Sequence, residues 1–302
     1  MHRGTGLLKA AGVCLLLAST TSHAATHHRK SGHVRSHHSV RVRSDEPDLR
    51  SSSVLVLDET HARVLYSRHS DVAAPIASIT KLMTALVVAD AELPLDEPIQ
   101  LTGDDRAVGK GAYSRLTVGA TLTRGDLIHL ALMSSENRAA RALGRNYPGG
   151  MPAFVQAMNV KARALGMTSA HFVDPAGLSS ENVASAEDLS KLVQAASHNP
   201  VIREYSTDPN YTVRVGRRVL AFHNTNALVS NPTWNIVVQK TGYITEAGKC
   251  LVMQAVIQDR TVVIILLNSV GKYTRVADAS RIRRWMEARL NDAEPHLASD
   301  KV

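Results

Sequence analysis

Ser78 and Lys81 stand three residues apart where an apolar helix pattern begins, in PIASITKLMTALVV (75–88). Positions i and i+3 share a helix face, so the spacing sets an amine beside an alcohol. A serine hydroxyl is a poor nucleophile at neutral pH and needs a base within hydrogen-bond reach. Lysine serves as that base when burial and a nearby second cation disfavour its charged form. Pro75 precedes, which puts Ser78 in the first turn. The positive helix end there favours negative charge on Oγ, and the Ser78 N–H can help to hold an oxyanion. The same pattern recurs as Ser269-Val270-Gly271-Lys272, after a strand-like run. A helix cap and a surface lysine would satisfy Ser-x-x-Lys equally well, so the pattern alone does not single out Ser78.

A second candidate is Lys240-Thr241-Gly242, directly after the strand-like WNIVVQ. Lys240 could supply the second cation for Lys81 or bind a substrate carboxylate, and Thr241 offers a hydroxyl to the same anion. Gly242 has no side chain, which lets a peptide lie against the backbone and pair with the strand edge. A strand-ending turn accounts for Lys-Thr-Gly as well. Ser-x-Asn occurs three times, as Ser135-Glu136-Asn137, Ser180-Glu181-Asn182 and Ser197-His198-Asn199. The first lies between two helix patterns, the second in a turn-rich loop, and the third before Pro200, which suits a helix stop. Helix capping is open to all three, and the pattern favours the first only modestly.

Positioning these groups falls to elements with clear periods. SSSVLVLDETHARVLYSR (51–68) predicts a hairpin around DETH. Residues 91–122 are loop-rich. Helix patterns cover 125–133, 137–146, 154–167 (ended by Gly166) and 184–197. HFVDPAGLSS (171–180) is a loop. From residue 211 strands follow as YTVRV, RVLAF, WNIVVQK, CLVMQAVIQ and TVVIILLNS, and an amphipathic helix closes at 273–290. β elements at both ends with helices between predict an α/β (α+β) fold, a central antiparallel sheet flanked by helices with an inserted helical subdomain. TVVIILL is too short to span a bilayer.

The N-terminus reads as export. A basic start, the apolar run LLKAAGVCLLLA and Ser22-His23-Ala24 predict a signal peptide over 1–24, which implies a periplasmic, secreted protein. Residues 25–50 are basic and histidine-rich without apolar periodicity, a disordered tail; residues 291–302 form a polar C-terminal tail. His27, His28, His33, His37 and His38 lack interleaved acidic or cysteine ligands for a closed metal site. Cleavage would leave Cys250 alone, so no internal disulfide is expected. The chain of 302 residues carries a formal +8; losing Arg3 and Lys9 with the signal leaves +6. That charge suits a polyanionic wall polymer or lipid headgroups. Nothing interleaves aromatic and basic residues as a nucleic-acid surface would, and nothing sets an oligomeric state.

In the order Ser-x-x-Lys, Ser-x-Asn, Lys-Thr-Gly, the chain resembles the penicillin-interacting serine enzymes. Within them it resembles the low-molecular-mass penicillin-binding proteins, most closely the D-alanyl-D-alanine endopeptidase type. The resembling stretches are ASITKLMTALVV, LALMSSENRAA, KARALGMTSAHFVDPAGLS, FHNTNALV, WNIVVQKTGYITEAGKCLVM and GKYTRVADASRIRRW. They span roughly residues 53–290, within an expected peptidase domain of 51–290 with the β-lactamase/penicillin-binding-protein-like fold. The resemblance selects Ser135 and Asn137 among the Ser-x-Asn candidates. It implies Ser78 as the acylated nucleophile, Lys81 as its general base and Ser135 as proton relay. Asn137 would hold a substrate amide, and Lys240, Thr241 and Gly242 would line the substrate strand. The N–H groups of Ser78 and Tyr243 would form the oxyanion hole. The implied substrates are peptidoglycan stem peptides and the implied inhibitors β-lactams, with no cofactor required. A D,D-carboxypeptidase of the same fold is the nearest alternative. A β-lactamase is weaker, because HFVDPAGLSSEN offers Asp174 and Glu181 without that family's Glu-x-x-x-Asn pattern. An inactive wall-binding protein would need intact motifs to be idle.

Overall fold

The long apolar runs near the two ends of the chain meet in one sheet. The computed structural model describes residues 46–106 and 113–293. The expected signal peptide, most of the histidine-rich tail and the end of the C-terminal tail lie outside the described residues. Strands β1 (Ser51–Asp58) and β2 (Arg63–Arg68) form the expected hairpin. Near the other end come β9 (Asn235–Ile244), β10 (Gly248–Ile257) and β11 (Arg260–Ser269). All pair antiparallel in the order β2-β1-β11-β10-β9, with Val54 opposite Leu266 and Val56 opposite Ile264. Gln258 and Asp259 join β10 to β11 with positive φ at both, the conformation a two-residue hairpin turn requires.

Side-chain alternation divides the sheet between two cores. Val54, Val56, Leu251, Met253, Val262, Ile264 and Leu266 face Ala279, Ile282 and Met286 of the closing helix α7 (Thr274–Ala293). Leu55, Val252, Val263, Ile265 and Leu267 face the larger helical core. That core is built from α1 (Thr80–Asp90), α2 (Arg124–Met133), α3 (Asn137–Arg145), α4 (Gly150–Ala164), α5 (Ala186–Ser197) and α6 (Pro200–Thr207). Helix α1 is buried from Thr80 to Val88, including Lys81, as a helix apolar on all sides must be. Asp278 of α7 fastens the ends of the chain together: its Oδ2 accepts from Ser51 N (2.7 Å), Ser51 Oγ (2.6 Å) and Arg50 N (3.0 Å).

Three expectations need correction. Asn199-Pro200 does not only end α5. The Asn199 side chain accepts from Ile202 N and opens α6, with Pro200 at its first position, where a missing N–H costs nothing. Helix α4 begins at Gly150 instead of Phe154, because Gly149 in left-handed conformation turns the chain into it. Strands β7 (Asn210–Val215) and β8 (Arg218–His223) do not join the main sheet but form a separate hairpin. Tyr211 holds that hairpin to α2 by donating to Asp126 Oδ1 and stacking on His129. The loop-rich span also contains a short ladder of β4 (Pro98–Gln100) with β5 (Thr121–Thr123), and β3 (Ala74–Pro75) pairs with β6 (Val183–Ala184).

Candidate active site

Ser78 sits in a single 3-10 turn, Ala77–Ile79, that feeds α1. One turn later, fully buried Lys81 reaches back to it. Lys81 Nζ lies 2.8 Å from Ser78 Oγ, 2.8 Å from Asn137 Oδ1 and 2.6 Å from the Ala176 carbonyl. Three acceptors match the three donors of an ammonium. In the neutral amine one of these contacts reverses, and Ser78 Oγ–H donates to the nitrogen lone pair. Burial pushes the Lys81 pKa down to about 7, against the opposing pull of Asp174 and Glu136. The expected second cation is present, but its effect falls on the other partner. Buried Lys240 is pushed down first by burial, then by Lys81 and Arg275.

The Ala176 carbonyl is held in place by its own loop. Asp174 Oδ1 accepts from Ala176 N and Gly177 N, both at 2.7 Å, and Oδ2 from Ser179 N. Buried Asn182 clamps the same loop through Val173 N, Asp174 O and the Thr80 hydroxyl. A side chain at Gly177 would place its Cβ 2.0 Å from Ala77 O, and its φ is +73°, so only glycine fits beside the nucleophile turn. The middle Ser-x-Asn is therefore a scaffold for this loop, and the third is the α6 cap. In the second Ser-x-x-Lys match, Ser269 Oγ bonds Ser51 Oγ at 2.7 Å instead of a lysine.

Ser135 lies between α2 and α3 in left-handed conformation, φ 61°, and Asn137 opens α3. On the opposite wall, β9 is the edge strand of the sheet and carries Lys240-Thr241-Gly242-Tyr243. Lys240 Nζ donates to Thr241 O, and the Thr241 and Thr225 hydroxyls meet at 2.6 Å. Gly242 is required for a reason other than the one expected. A Cβ there would lie 2.9 Å from Ile76 O and 3.2 Å from Ser78 N, so glycine lets β9 press against the nucleophile turn. Ser78, Ser135, Asn137, Thr241, Gly242 and Tyr243 line one cleft of about 570 Å³.

Sequence reasoning missed Arg275, Lys249, Tyr113 and Arg115 in the same cleft. Arg275 Nη1 points at Gly242 O (3.5 Å), and Lys249 Nζ stands 4.1 Å from the Tyr243 ring. Their signal is tertiary, since single basic or aromatic residues in strands, loops and helices carry no local pattern. Cys250 is inert: burial raises its thiol pKa to about 11. The loop offers no ready carboxylate to activate water, because Asp174 is bound to three N–H groups and Glu181 is exposed.

A serine hydrogen-bonded to a fully buried lysine, set on this sheet and helical core, fits a serine peptidase of the penicillin-binding class. The chain belongs to the D-alanyl-D-alanine carboxypeptidase family, Peptidase_S11, whose sequence profile matches residues 40–271. It is 49% identical over 255 residues to the D-alanyl-D-alanine endopeptidase of Pseudomonas aeruginosa, covering 84% of this chain and 82% of that one. The D-alanyl-D-alanine endopeptidase of Escherichia coli is 46% identical over 253 residues, covering 81% and 79%. Among solved structures, the Streptomyces K15 DD-transpeptidase superposes with a TM-score of 0.75 at 28% identity, covering 80% of this chain and 99% of the other.

Proposed function

We propose that this protein is a D-alanyl-D-alanine endopeptidase that cuts peptide cross-links in peptidoglycan through an acyl-enzyme on Ser78. The observation that carries the reading is the buried Lys81 amine 2.8 Å from Ser78 Oγ, braced by Asn137 and Ala176 in an open cleft. Two relatives named as endopeptidases, 49% and 46% identical to this chain, support the choice of substrate.

Neutral Lys81 takes the proton as Ser78 Oγ attacks the carbonyl carbon of a D-alanine residue. The N–H groups of Ser78 and Tyr243 hold the oxyanion. Ser135 passes the proton to the departing amine, and the C–N bond breaks. Water then hydrolyses the ester and frees Ser78. The substrate backbone adds to the β9 edge, and Asn137 holds its amide. Lys240, Thr241 and Arg275 place the carboxylate on the leaving residue. A β-lactam follows the first half and stays bound, because its ring-opened amine remains tethered to the acyl group and shields the ester from water. Residues 1–24 direct export to the periplasm, and residues 51–290 form the peptidase domain.

The test uses the exported protein with a cross-linked muropeptide dimer and a pentapeptide monomer, read by mass spectrometry. Conversion of dimer to monomers with little D-alanine release is expected. Release of terminal D-alanine with the dimer untouched would make the enzyme a carboxypeptidase and overturn the reading.

A further inference from the structure

The cleft presents cations from separate stretches of the chain. Arg275 and Lys249 flank Gly242 and Tyr243 at the β9 edge. Arg115 stands elsewhere, on the segment that bridges the β7–β8 hairpin and the Ser135–Asn137 turn. Its Nη1 donates to Ala221 O at 2.7 Å, and its guanidinium lies 4.4 Å from the Phe222 ring centroid. On the other side, neighbouring Ser114 donates to the Glu136 carboxylate, and Arg138 bonds the Leu116 carbonyl. A flexible exposed side chain has thus been set in one orientation by a carbonyl, a ring and a tethered backbone, which lowers the entropy lost when it binds a ligand.

What this arginine meets follows from its surroundings. Residues 210–223 contain no Asp or Glu. Glu136, the one carboxylate lining the cleft among the described residues, is already bonded to Ser114, and burial pushes its pKa up. Among the described residues no carboxylate forms an ion pair with Arg115. Thr225, two residues beyond His223, bonds both Met133 O and the Thr241 hydroxyl, which ties the hairpin to the carboxylate-binding end of the site. Arg115 thus lines the same cleft as Thr241 and Arg275, which in the proposed mechanism receive the departing residue. A pentapeptide ends there in one terminal carboxylate, which Thr241 and Arg275 take. A cross-linked substrate continues into a second stem peptide with further carboxylates.

We propose that Arg115, fixed over Phe222, is a specificity-determining residue that binds a carboxylate of the second stem peptide and so favours cross-linked over uncross-linked substrate. This rests on the endopeptidase reading above. The test compares wild type, Arg115→Gln and Arg217→Gln on the muropeptide dimer, the pentapeptide and labelled penicillin. Arg217 is an exposed arginine at the hairpin tip, outside the cleft. Arg115→Gln should lower kcat/KM for the dimer by about tenfold, mostly through KM, with the other two reactions within about twofold of wild type. Arg217→Gln should change none of them. Equal losses on all three reactions would make Arg115 a structural tie, and an unchanged dimer rate would remove the subsite. Equal dimer losses in both variants would reduce the effect to long-range charge. Failure of wild type to cut the dimer would instead overturn the endopeptidase reading, and the subsite with it.

Discussion

In the proposed mechanism Lys81 must lose a proton before it can take one from Ser78. Its neutral form would be the base, and burial has brought its pKa to about 7. The rate of acylation by labelled penicillin should therefore rise with pH through about 7 and fall by about tenfold per unit well below that. Asp174 and Glu136 both pull the lysine pKa upward. Glu136→Gln removes one of these anions, so the rising limb should move to lower pH; a limb that stays put or moves up would contradict the assignment. Ser78→Ala should abolish acylation while Ser269→Ala leaves it intact, since Ser269 only bonds Ser51. At this scale the i, i+3 spacing made Ser78 and Lys81 a candidate pair, and the resemblance preferred it to Ser269 and Lys272. Arg275 and Arg115 were not legible. Each reaches the cleft through packing between elements distant in the chain.

Elements place the reacting atoms through close backbone approaches, and glycine marks these. Strand β9 can press on the nucleophile turn only because Gly242 leaves room for Ile76 O and Ser78 N. Gly242→Ala forces the turn or the strand to shift by a few tenths of an ångström or more. Acylation should slow by about a hundredfold, as for other small misplacements of reacting groups, with the melting temperature little changed. Stopped-flow acylation beside thermal unfolding separates the two effects. Lys-Thr-Gly was visible as a strand-end motif, yet the need for its glycine was assigned to a passing peptide instead of the nucleophile turn. Periodicity located the strands and most helices, but α6 was hidden behind Pro200, a residue that both ends and begins helices. Alternation also could not tell which strands share a sheet: β7 and β8 have the same pattern as the rest, and Tyr211 anchors them elsewhere.

At the scale of the whole molecule, Asp278 ties α7 to the first strand. It is fully buried and accepts from Ser51 N, Ser51 Oγ and Arg50 N. Asp278→Ala strands those donors and should cost about 3 kcal/mol in urea unfolding. The acylation rate of the folded fraction should stay unchanged, because no bond of Asp278 reaches the cleft. That both ends of the chain build one sheet was readable from the strand runs, since helix patterns filled most of the chain between them.

The pairing of β1 with β11 sets a timetable for the enzyme. The nucleophile and its base are made early, yet the strand bearing Lys240 and the sheet beneath it wait for the last third of the chain. Contacts so distant in sequence form late in folding. A chain that has not yet docked β9 therefore carries its serine without the wall that Lys240, Thr241 and Gly242 build. The groove is complete only once the last strands have joined the first.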